Sequence, residues 1–76
     1  MPTDKEETIY ILLLNEGVDV WRPVQGIRKN DDVFLIPVDC EIPEYEEWEF
    51  TPGTLVKCRE KIFSGGERAL VAYERG

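Results

Sequence analysis

The chain is 76 residues long and carries 16 acidic and 9 basic residues with no histidine, for a net charge of −7. A single domain of this length buries only about 60% of the surface that its unfolded chain exposes, which disfavours a deep, walled catalytic cleft and favours a shallow groove or flat patch. The missing histidine removes Ser–His and Cys–His nucleophilic sites, most zinc sites and the usual general base near neutral pH.

Residues 1–7 (Met1-Pro2-Thr3-Asp4-Lys5-Glu6-Glu7) read as a tail, acidic where a leader peptide would be basic. The one apolar run, Ile9 to Leu14, is too short to span a bilayer, so a cytoplasmic protein with no membrane segment is expected. Thr8 to Asn15 is apolar on both faces, which predicts a central strand packed on both sides. Glu16-Gly17 supplies a turn before a second strand, Val18 to Ile27. Pro23 lacks a backbone donor and places this strand at an edge, or bends or bulges it. Lys29-Asn30-Asp31-Asp32 turns the chain into Val33–Ile36, which Pro37 stops.

In the segment that follows, Pro43-Glu44-Tyr45-Glu46-Glu47 reads as a single helical turn, with proline and acids favoured at a helix start. Thr51-Pro52-Gly53 is a type II turn signal. Thr54 to Phe63 is a long strand, Ser64-Gly65-Gly66-Glu67 a tight hairpin, and Arg68 to Tyr73 the last strand. Five short strands joined by tight turns predict an all-β, five-stranded SH3-like barrel over residues 8–76. An OB-like barrel, with 38–50 in place of its inter-strand helix, is the alternative.

The run Val18-Asp19-Val20-Trp21-Arg22-Pro23-Val24, followed by Glu46-Glu47-Trp48-Glu49-Phe50, Pro52-Gly53, Val56 and Cys58, resembles a family of short bacterial proteins of unknown function. The resemblance extends from Val18 to Val71. It implies a free-standing, cytoplasmic bacterial domain with both tryptophans in its pattern, and it carries no catalytic role.

Ser64, the only serine, sits in a Gly-rich turn, and Gly65-Gly66 is too short for a phosphate loop. Asn30-Asp31-Asp32 lacks the spacing and closing glutamate of a calcium loop. Neither a metal, a cofactor nor an enzymatic activity is expected. Cys40 and Cys58 read as reduced thiols, with a single bridge as the alternative.

The acidity is local. Val38 to Glu49 holds Asp39, Glu41, Glu44, Glu46, Glu47 and Glu49 and no basic residue. This segment reads as a solvated connection, as a docking site, or as a mimic of nucleic-acid charge. In the docking reading, Tyr45 and Trp48 are aromatic anchors ringed by Glu44, Glu46, Glu47 and Glu49, and the partner is a protein with a basic surface. The chain itself is then a monomer or a weak homo-oligomer. Trp21 alternates out of phase with Val18 and Val20, so it faces outward. It either packs against Trp48 or Phe50 under the acidic segment or joins an aromatic groove.

Lys57, Arg59 and Lys61 share one strand face, which is a solvated surface, a partner for the acidic segment or a site for an anionic ligand. A nucleic-acid-associated barrel built on that face is the alternative function, disfavoured by the overall charge. Arg22 and Glu60 each interrupt an apolar face. Since an unpaired buried charge is costly, they either meet each other, both sit where the barrel opens, or are turned outward by bulges at Pro23 or near Glu60.

Overall fold

The computed structural model describes residues 6–76. Five strands close into a barrel in the order β1-β2-β3-β4-β5: β1 Glu6–Leu13, β2 Val20–Arg28, β3 Val33–Leu35, β4 Leu55–Ile62 and β5 Arg68–Arg75. Neighbours are antiparallel except at the closure, where β1 meets β5 in parallel through Ile9↔Leu70 and Tyr10↔Val71. This is the small all-β, SH3-like barrel expected. No helix occurs among the described residues, so residues 38–50 do not form the inter-strand helix of an OB-like barrel.

Boundaries shift where tertiary pairing outweighs local signals. Glu6 and Glu7, read as tail, belong to β1 and pair with Ile27 and Gly26; residues 1–5 of the expected tail lie outside the described residues. Val18, read as strand, is exposed in a wide turn that has Asn15 at φ 61 and Gly17 at φ 80. Asparagine and glycine are the residues that adopt this left-handed backbone most readily.

Alternation along β1 sends Ile9, Ile11 and Leu13 into the core with Val24, Phe34, Ile36, Val56, Cys58 and Ala72. Each fully buried aliphatic side chain contributes about 1.5–3 kcal/mol. The opposite face of β1 is also covered. Tyr10 meets Phe63 edge-on with ring centroids 5.6 Å apart, and Trp21 lies 6.1 Å from the same ring. Trp21 is thus outward-facing as its phase predicts, but it packs on Phe63 rather than on Trp48 or Phe50, whose side chains are buried in the core.

Pro23 neither bends nor bulges β2, whose register against β1 runs unbroken through Tyr10↔Pro23. It is an edge proline. Only Ile27 and Arg28 of β2 pair with β3, so Pro23 sits where no ladder needs its missing N–H. Gly26 is required by packing: a Cβ there would lie 2.7 Å from Ile9 Cδ1, and Ile9 is fully buried. Gly26→Ala is expected to cost about 1–3 kcal/mol through overpacking, read as a lower urea midpoint at unchanged slope.

The other three expected turns are present. Lys29 N–H and Asn30 N–H both donate to the Val33 carbonyl, at 2.8 and 3.2 Å. Gly53 has φ 88, and Thr54 N–H reaches the Thr51 carbonyl at 3.2 Å. Gly66 has φ 86 in the β4–β5 hairpin.

Candidate functional site

Residues 37–54 leave β3 and return to β4 across one mouth of the barrel. Leu14 N–H donates to the Glu47 carbonyl at 2.7 Å and Glu49 N–H to the Leu12 carbonyl at 2.9 Å, with Trp48 bridging Leu13 between them. The loop thereby extends the sheet beside the end of β1. Strand-like alternation follows: Glu47 and Glu49 face solvent, while Trp48 (5% exposed) and Phe50 (8%) complete the core. Trp48, expected as an exposed anchor, is therefore a core residue.

Glu46 clamps this loop to β2. Its carboxylate accepts from Arg22 Nε at 3.2 Å, from Arg22 Nη2, and from Trp48 Nε1 at 3.0 Å, and its side chain is only 4% exposed. The Arg22 hydrogen bonds, then the Trp48 N–H, hold the Glu46 carboxyl below the usual carboxylate range. Arg22 shares its strand phase with buried Val24, but its side chain is 40% exposed. It does have an acidic partner, and that partner is Glu46. Glu60 is exposed opposite Leu70: the β4–β5 register shifts between Lys57 and Cys58, the irregularity expected near Glu60, and beyond it β4 pairs with β5 but not with β3.

The expected helical turn at Pro43 is a single β-turn, closed by Glu46 N–H on the Pro43 carbonyl at 2.9 Å. Burying Glu46 and Trp48 leaves no register for a helix. Glu44 and Tyr45 occupy the tip, and Tyr45 is 82% exposed. Glu47 is exposed and accepts from Asn15 Nδ2. Of the acidic and aromatic set read from the sequence, Glu44, Tyr45 and Glu47 face solvent, whereas Glu46 and Trp48 are structural. Trp21 lies apart from them, against Phe63.

The turn stands between two depressions. One, of about 260 Å³, is lined by Arg22, Pro23, Val24, Cys40, Glu41, Pro43 and Trp48. The other, of about 350 Å³, is lined by Leu14, Asn15, Glu16, Glu44, Tyr45, Glu46 and Glu47. Its only charged lining residues are carboxylates, with Tyr45 on its wall.

On β4, Lys57 Nζ lies 3.5 Å from Glu74 Oε2, the Arg59 guanidinium stacks 4.7 Å from the Tyr73 ring centroid, and Lys61 is exposed on the hairpin. Two members of the basic row are thus already engaged within their own hairpin. Both cysteines are free. Burial pushes the Cys58 thiol up to about 12 and raises the Cys40 thiol as well. Among the described residues, no group of three or more Cys, Asp or Glu side chains is placed to hold a metal ion, and no helix is long and apolar enough to cross a membrane.

No protein-family model matches the chain, and neither the curated proteins nor the solved structures yield a match.

Sequence reasoning missed the pairings of Arg22 with Glu46, of Arg28 with Glu7 at 2.6 Å and of Lys57 with Glu74. The signal for the first was half present. Arg22 stands in phase with Val20 and Val24, but nothing in the local pattern distinguishes Glu46 from Glu44 and Glu47.

Proposed function

We propose that this chain is a protein-interaction module whose docking element is the acidic turn Glu44-Tyr45-Glu47, and that its partner presents a basic surface. The observation carrying this reading is an aromatic side chain, Tyr45, held 82% exposed at the tip of a turn whose neighbour Glu46 is anchored. A large ring kept in water has no role in the core, and anchoring the turn lowers the entropy lost when that ring is buried by a partner. The flanking carboxylates of Glu44, Glu47 and Glu16 supply an acidic field that steers a basic partner and excludes acidic ones. The role is binding rather than catalysis. The engaged state of Lys57 and Arg59 supports this reading over a nucleic-acid-associated one.

The test is capture from bacterial lysate with nuclease present, comparing the native chain with a Glu44→Lys/Glu47→Lys variant and with Tyr45→Ala. Glu46 is left intact so that both variants keep the clamp. A protein captured by the native chain and lost by both variants is expected. Equal capture by all three would make the turn a solvated connection.

A further inference from the structure

Resting on that reading of the acidic turn, we infer that the partner is recognised as an extended segment whose basic residue is adjoined by one apolar residue, and that the apolar residue seats in the cleft between Pro23, Val24, Pro43 and Trp48. Two features of the cleft define this occupant. Its lining is largely apolar apart from Arg22 and Glu41, so it suits a side chain that prefers to leave water. It also lies along β2 between Val20 and Gly26, whose edge away from β1 pairs with no described strand. Pro23 stands in the middle of that edge without an N–H, which blunts it against a continuous added strand. A segment lying here is therefore held by its side chains.

Charge complementarity places the basic residue. Arg22 lines the apolar cleft and Glu46 the acidic depression, and these two side chains are hydrogen-bonded to each other. The two depressions thus flank this ion pair, with Pro43 lining one and Tyr45 the other. An extended segment rises about 3.3 Å per residue, so nearby apolar and basic positions of one segment can reach both sides of this pair. A leucine-sized side chain moved into such a cleft strengthens binding about tenfold or more.

The experiment uses the full chain and short lysine peptides, with and without one leucine placed at each position in turn. Affinity is read by titration, and occupancy of the cleft by alkylation of Cys40, which lines it, while buried Cys58 reacts far more slowly. The expected result is that leucine at one spacing tightens binding about tenfold and protects Cys40, that Pro23→Glu removes that gain and protection, and that Glu44→Lys/Glu47→Lys removes binding altogether. Pro23 is exposed, so its variant is expected to fold. If lysine peptides bind and are lost in Glu44→Lys/Glu47→Lys, but leucine adds nothing and Cys40 reacts equally, the cleft inference is overturned while the acidic-turn reading stands. If no lysine peptide binds the native chain, both fail. If Cys40 becomes protected merely by raising protein concentration, the occupant is a second copy of this chain and the inference is overturned.

Discussion

Trp48→Ala leaves the chain unfolded, or at the edge of unfolding, at room temperature. Trp48 closes the barrel mouth, packs in the core with Leu13 and Phe50, and donates its indole N–H to Glu46. Truncating a buried tryptophan costs about 3–5 kcal/mol. A hydrophobic core in a domain of this size supplies about the same amount in total. The loss also removes one of the three hydrogen bonds to the Glu46 carboxylate, so the acidic turn loosens with the core. Tyr45→Ala, at the tip of the same turn, changes stability by about 0.5 kcal/mol or less, because its ring is in water in both states. Urea unfolding followed by far-ultraviolet circular dichroism separates the two. A Trp48→Ala midpoint equal to that of the native chain would contradict a core role for this residue.

The second large effect is acid lability centred on the Arg22–Glu46 clamp. Glu46 titrates below its unfolded value of about 4.3, chiefly because Arg22 donates to it. A carboxyl depressed in the folded state binds its proton more readily in the unfolded one. Its contribution is therefore complete above the unfolded value and declines as pH falls through the folded one. Stability is expected to fall on acidification below about pH 4.3, with the 37–54 loop releasing before the strands. In Glu46→Gln that part of the pH dependence disappears: the variant is less stable near neutrality, and its curve is flatter across the acidic range. Hydrogen exchange of the Leu14 and Glu49 amides, which donate across the seam, reports the release directly. Equal slopes for native and variant chains would show that Glu46 does not govern the transition.

The two effects share one piece of architecture. Trp48, Glu46 and Arg22 form a continuous link from the core through a carboxylate to β2, and the exposed turn hangs on it. Removing Glu44 or Glu47 alters what the surface attracts. Removing Glu46 or Trp48 alters whether the surface exists. The sequence lists these acids in a row with no mark of difference, and a single charge-reversal of all of them would confuse loss of docking with loss of the fold.

The sequence by itself determined the strand count, the turns and the all-β class. Those follow from information carried within a few residues: period-two alternation in Ile9, Ile11 and Leu13, a proline at Pro23 and Pro37, and glycines at Gly53 and Gly66 where the backbone turns left-handed. It also marked Arg22 as a charge in a core-facing phase and Trp21 as outward-facing, because phase is local too. Only the tertiary structure decided which acid meets Arg22, that Trp48 is core while Tyr45 is surface, that Phe63 crosses to Tyr10 and Trp21, and that Glu60 reaches solvent. Each of these depends on residues far apart in the chain brought together by barrel closure, and neither the return path of an irregular loop nor the register shift between Lys57 and Cys58 is written in local periodicity.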